Sequence, residues 1–174
     1  MTIQFLNPEQ PPDIQSVSLA PRLETLAGKT VALMGNNKTN AAKLLRYIAD
    51  ELDQDLSLKA AVVADKSFAG SNCPPALLEE LAGKADAMIT GLGDWGSCSS
   101  CSLHDGIEME ALGIPSAVLI TEPFIPTAKE IARIKGLPEF EFVILKHPLG
   151  SLSDEELRER AREAAPQIKK IICQ

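Results

Sequence analysis

The sequence predicts an α/β protein with three layers, built on a five-stranded, mostly parallel, doubly wound sheet of the flavodoxin-like or Rossmann-like kind. Three observations predict it. Short β-rich runs alternate with helical patterns from Lys29 onward, several of those runs are almost continuously apolar, and 174 residues suit one domain with a proper core. Continuous apolar character is expected of parallel strands covered on both faces.

The elements follow in order. Residues 1–28 form an arm in which Pro8, Pro11, Pro12 and Pro21 prevent regular structure, while Ile14, Val17, Leu19, Leu23 and Leu26 are too apolar for a free linker. The arm is expected to lie across its own surface or a second copy of the chain, and residues 29–174 form the single α/β domain. Thr30–Met34 is the first strand, followed by Gly35, Asn36, Asn37 and Lys38. Thr39 or Asn40 is the expected cap of a helix carrying Ala41, Leu44, Leu45, Ile48 and Leu52. A strand at Lys59–Ala64 precedes a helix opened by Pro74 and Pro75, where a missing N–H costs nothing.

Asp86–Thr90 is the third strand, and the run Gly91-Leu-Gly-Asp-Trp-Gly-Ser-Cys-Ser-Ser-Cys101 follows it. Its helix carries Leu103, Ile107, Met109 and Leu112 and stops at Gly113. Ser116–Ile120 leads into Thr121, Glu122, Pro123 and Phe124 and a helix through Ile131 and Ile134. Phe142–Leu145 is the fifth strand, and Ser153 with Glu156 forms a capping box for a last helix reaching about Ile172.

Composition narrows the function. A net charge of −7 argues against nucleic acid, since the basic residues near the C-terminus alternate with glutamates as on a solvated helix. No run approaches the length of a membrane span, and the N-terminus lacks the order of a signal peptide, so a cytoplasmic protein without a membrane partner is expected. In a reducing compartment closely spaced cysteines serve catalysis or metal binding rather than structure. Zinc needs four ligands and no second pair accompanies Cys98 and Cys101; Cys73 and Cys173 read as packing residues. The nucleotide signatures Gly-x-Gly-x-x-Gly and Gly-Lys-Ser/Thr are missing, and neither a metal nor a cofactor is expected.

In doubly wound sheets ligands bind beyond the carboxyl ends of the strands. That rule selects the segments after each strand, and the chemically distinctive one holds Cys98 and Cys101. Their Cys-x-x-Cys spacing puts both sulfurs on one helix face, where orphan amides and the macrodipole favour a thiolate. Gly91, Gly93 and Gly96 are expected to let the chain turn and leave room for a substrate, with Ser97, Ser99, Ser100 and Ser102 around the sulfurs. His147 is the expected acid–base group, Thr121 and Glu122 line the same cleft, and Asn36 and Lys38 hold an acidic group. His104, with Asp105, is either exposed or orients the site. The bland reading of the cysteines is two small core residues.

The run Gly93-Asp-Trp-Gly-Ser-Cys98, followed by His104 and Asp105, resembles the UGSC-motif (seleno)protein family, whose motif reads Gly-Asp-(Sec or Cys)-Gly-Ser-Cys. The likeness takes in Leu19–Thr30, Gly113-Ile-Pro115, Thr121–Phe124 and His147-Pro-Leu-Gly150. A more distant likeness is to the selenoprotein B component of the glycine, sarcosine and betaine reductases, which cleave a carbon–nitrogen bond reductively with a selenol nucleophile. The resemblance implies a thiol or selenol oxidoreductase or reductive-cleavage protein with a thiol or selenol redox partner, and does not itself fix the substrate. With the Asn36–Lys38 turn as anion holder, a small acidic or amino-acid-like substrate is expected, and Asp94, Gly96 and Ser97 are expected among the substrate-binding residues. Trp95 stands at the family's selenocysteine or cysteine position. Either the chemistry has moved to Cys98 and Cys101, or Trp95 stands where the natural chain carries another residue, since UGA and UGG differ by one base. A non-catalytic binding or partner subunit, and non-redox acyl or lyase chemistry on Cys98, are the competing readings.

Overall fold

The computed structural model describes residues 17–67 and 70–173. Five strands, β1 (Thr30–Gly35), β2 (Ala60–Asp65), β3 (Ala87–Gly93), β4 (Ser116–Thr121) and β5 (Val143–Leu145), pair in the order β2-β1-β3-β4-β5. Every pairing is parallel, so the sheet is wholly rather than mostly parallel. The connecting helices are α1 (Ala41–Leu56), α2 (Pro75–Ala82), α3 (Gly96–Ala111), α4 (Ile125–Ile134) and α5 (Asp154–Ile172), with a single 3₁₀ turn at Glu122–Phe124 before α4.

Side-chain alternation along β1 explains the layers. Val31 and Leu33 point to the face covered by α1 and α5, joining Leu44, Leu45, Ile48, Leu157, Ala161 and Ile168 in one buried cluster. Ala32 and Met34 point the other way, toward Leu78, Leu81 and Met109 of α2 and α3. Val118 and Ile120 meet Leu103, Ile107, Ala128 and Ala132 of α3 and α4. Helices therefore cover both faces, which is why β1, β3 and β4 are buried along their whole length.

Close packing of α3 on β4 depends on Gly106, where a Cβ would sit 2.4 Å from Val118 Cγ2. At the sheet's edge Gln167 of α5 pairs with the backbone of Ile144, accepting from its N–H at 3.0 Å and donating to its carbonyl at 3.1 Å. That bond pair covers a short exposed edge strand.

Pro8, Pro11, Pro12 and Ile14 of the arm lie outside the described residues. Of its remainder, Leu26 is in the main core and Leu23 forms a parallel bridge with Cys173. The Ala20 N–H donates to the buried Glu110 carboxylate at 2.7 Å, and Arg22 pairs with the same group.

Two local expectations change. Asn40 occupies the N-cap of α1 with φ 68°, but its side chain does not cap the helix. Its Nδ2 donates instead to the carbonyls of Leu149, Gly150 and Leu152, tying α1 to the segment after β5. Gly91 and Gly93 lie inside β3, which runs three residues past the expected Thr90. They serve close packing: a Cβ on Gly91 would approach Leu119 Cβ to 3.0 Å, and one on Gly93 would sit 2.4 Å from Ile120 Cδ1. The capping box of Ser153 and Glu156 is present at the start of α5 as expected.

Candidate functional site

The strand order changes direction at β1, whose neighbours lead to opposite sides of the sheet, so the crevice of such folds lies beyond the ends of β1 and β3. Two residues, Asp94 and Trp95, connect the end of β3 to the start of α3. Everything of chemical interest at this end is arranged around them.

Asp94 is 4 % exposed and acts as an acceptor for the segment after β5. Its Oδ1 lies 2.9 Å from His147 Nδ1, its Oδ2 accepts from the Leu149 N–H at 3.2 Å, and the Gly150 N–H donates to Oδ2 at 3.3 Å. The expected role of Asp94 in binding substrate gives way to a different one, since its oxygens are committed to orienting His147 and the 147–150 turn. Thr121 Oγ1 donates to the Gly93 carbonyl at 3.1 Å and lies 3.3 Å from the same His147 nitrogen. With Nδ1 facing the Asp94 carboxylate, Nε2 lies on the far edge of the ring. Phe124 meets the imidazole edge-on, with ring centroids 5.8 Å apart.

Cys98 and Cys101 fall on consecutive turns of α3, a spacing that makes them neighbours on one helix face. Cys98 is 4 % exposed and Cys101 is half-buried. The N-cap residue Trp95 offers no side-chain acceptor to the first turn, and Ser99 and Ser100 direct their hydroxyls back to the carbonyls of Trp95 and Gly96. Ser97 is exposed, and a Cβ at Gly96 would meet nothing within 4 Å, so the helix start is open on that side.

At Cys101 burial pushes the thiol up; the Lys66 ammonium pulls it down, while Asp105 and Cys98 push with the burial. Cys73, one of the residues read as packing, is buried and its thiol is pushed up to about 11 by desolvation.

The remaining predicted residues are spread more widely. Asn36 is fully buried and donates from Nδ2 to the Leu92 carbonyl at 2.9 Å, a tie across β1 and β3. Its Oδ1 is buried with no hydrogen-bond partner among the described residues. Lys38 is half-buried with Nζ 5.7 Å from the centroid of the Trp95 ring, and Trp95 itself is 66 % exposed. Glu122 is exposed at the start of the 3₁₀ turn. His104 lies on the side of α3 that faces α2, near Asp105 and Glu108, where it lines a cavity of about 290 Å³ with Cys73 and Glu79.

Sequence reasoning missed the pair that Lys66 and Asp105 form. Lys66 follows β2, is 1 % exposed, and reaches the fully buried Asp105 of α3 at 2.6 Å. A lysine after an edge strand reads as solvated, and only the topology carries its side chain under α3. The sole local signal was Asp105, a carboxylate one turn beyond Cys101 on the predicted helix. Among the described residues no three His, Cys, Asp or Glu side chains are gathered for a metal ion.

A search of curated proteins finds no match to this chain. The model of the UGSC family matches residues 4–174, which takes in the strand-end turn, the cysteine pair and the 147–150 segment together. Since the match spans nearly the whole sequence, the chain belongs to the UGSC family.

Proposed function

We propose that this protein is a thiol-dependent oxidoreductase or reductive-cleavage protein that works through Cys98 and Cys101 on a small acidic or amino-acid-like substrate. The observation that carries the proposal is the pairing of two thiols on the first two turns of α3 with an imidazole held by Asp94, the residue two before that helix. In this reading Cys98 attacks a sulfur of a disulfide substrate or partner, and the departing thiolate takes a proton. Cys101 then attacks the Cys98 sulfur, releasing the second thiolate and leaving a Cys98–Cys101 disulfide that an external thiol reduces. His147 Nε2 moves the proton of the Cys98 step, and Lys38 attracts the acidic group.

The distant similarity to selenoprotein B supports reductive chemistry, as does the family's selenocysteine or cysteine at the position of Trp95. A soluble redox partner in the cytoplasm and a second copy of the chain fit the same reading. Among the described residues no helix is long and apolar enough to cross a membrane.

The test is redox titration of the full chain in glutathione buffers, followed by intact mass and peptide mapping. The expected result is loss of two hydrogens, localised to Cys98 and Cys101 and abolished in Cys98→Ser. Native alkylation is expected to label Cys98 before Cys101. An inert Cys98, with no disulfide under oxidising buffer, refutes the proposal.

Trp95 favours a second reading. An indole that is 66 % exposed beside the Lys38 ammonium is a recognition surface rather than a nucleophile, which suits a binding or partner subunit. Native codon 95 separates the two origins of this residue: UGA with a selenocysteine insertion hairpin marks a catalyst whose nucleophile is replaced here, and UGG marks a genuine tryptophan.

A further inference from the structure

The Lys66–Asp105 pair is costly to bury. Both groups are lost to water, at 1 % and 0 % exposure, and a buried ion pair generally contributes less stability than well-packed apolar residues of the same volume. Both carboxylate oxygens are engaged: Asp105 Oδ2 takes the Lys66 ammonium at 2.6 Å, and Oδ1 accepts the Cys73 N–H at 2.8 Å. Asp105 lies four residues after Cys101, on the same face of α3. The Lys66 N–H donates to the Gly35 carbonyl at 3.1 Å, which fixes where the side chain leaves the sheet.

Resting on the redox reading above, we propose that Lys66 is the buried cation that serves the sulfur of Cys101 when it ionises, and that Asp105 is a positioning residue that holds Lys66 in place. In the resolving step Cys101 loses its proton to solvent, its thiolate attacks the Cys98 sulfur of the mixed disulfide, and the partner's thiolate leaves and is protonated. The oxidant is the disulfide of the substrate or partner. Lys66 takes no part in the proton transfers and supplies only its field, which opposes the cost of carrying a thiolate in a half-buried place.

The charges around Cys101 come from three directions. Lys66 lowers its thiol from the end of β2, while Asp105 and Cys98 raise it from α3 itself. On the α2 side Glu79 and Cys73 stand with His104 and Glu108 around the neighbouring cavity, and Lys135, after α4, is paired with Glu108. Lys66 is thus the cation acting on this sulfur, and Asp105 both holds and opposes it.

The holding role gives a test by dependence. Iodoacetamide labelling of Cys101 in the folded full chain is followed against pH by peptide mass spectrometry, in the wild type, Lys66→Met, Asp105→Asn and the double variant. Lys66→Met is expected to raise the labelling midpoint by about one pH unit, about tenfold slower labelling near pH 8. Asp105→Asn and the double variant are expected to share one midpoint, because Lys66 without its holder no longer acts on the sulfur. Where Lys66→Met does not fold, Lys66→Gln is read in its place. Equal midpoints in the wild type and Lys66→Met, or a Lys66→Met shift of the same size with and without Asp105, overturn the inference. A Cys98–Cys101 disulfide that forms normally without these shifts removes this role and leaves the redox reading. The expected shifts in a chain that forms no disulfide leave the charge relation intact and remove the redox reading.

Discussion

Replacing Asp94 with Ala tests whether the turn after β5 and its histidine are held by one carboxylate. Three donors converge on it: the Leu149 amide, the Gly150 amide and His147 Nδ1. Leu149 is fully buried, so its orphaned N–H costs about 1–3 kcal/mol, while Gly150 and His147 reach solvent and lose about 0.5–1 kcal/mol each. Together these predict a loss of about 2–5 kcal/mol for Asp94→Ala, or about 4–20 °C in Tm for a chain of this size. Asp94→Asn keeps one acceptor oxygen but turns an amide donor toward the remaining N–H groups, and about half that loss is expected. Urea unfolding followed by circular dichroism measures it, provided the slope with denaturant is unchanged. Nitrogen NMR of His147 supplies the second readout, with the Nδ1–H tautomer expected in the wild type and lost in Asp94→Ala. An Asp94→Ala protein within about 0.5 kcal/mol of wild type that retains that tautomer refutes the role of Asp94.

Other substitutions test the packing and the charges. Gly106→Ala places a methyl 2.4 Å from Val118 Cγ2, so a destabilisation of about 1–3 kcal/mol is expected in urea unfolding. Glu110→Ala removes the acceptor of the Ala20 and Ser116 amides and the partner of Arg22, and should cost about 3–5 kcal/mol. Limited proteolysis of that variant is expected to cut first near Arg22. Cys73 has a thiol raised in the folded state, so its contribution is complete below the ordinary thiol value of 9.0 and fades as pH rises toward about 11. Stability measured from pH 8 to 11 should fall, and Cys73→Ala should flatten part of that fall. At pH 8 the native Cys73 should resist alkylation that labels it readily in urea.

Local pattern determined most of the architecture of this protein. Short, nearly continuous apolar runs and period-3.6 spacing read out five strands and five helices in order, because apolar surface must be buried wherever it occurs. The Ser153–Glu156 box and the stop at Gly113 were legible for the same reason, since capping is decided within four residues. The strand-end rule also placed Cys98, Cys101, Thr121 and His147 at one end of the sheet. What each group does there was decided by partners distant in sequence. Asp94 looked like a ligand residue until residues 147–150, more than fifty positions away, delivered three donors to it. Asn36 looked like an anion holder until β3 arrived beside β1 and offered the Leu92 carbonyl. Lys66 and Asp105, 39 residues apart, carried no sequence signal of pairing, and only the fold buried them together. Burial of Cys101, which pushes its thiol up, is likewise a property of everything packed around the sulfur rather than of the local spacing.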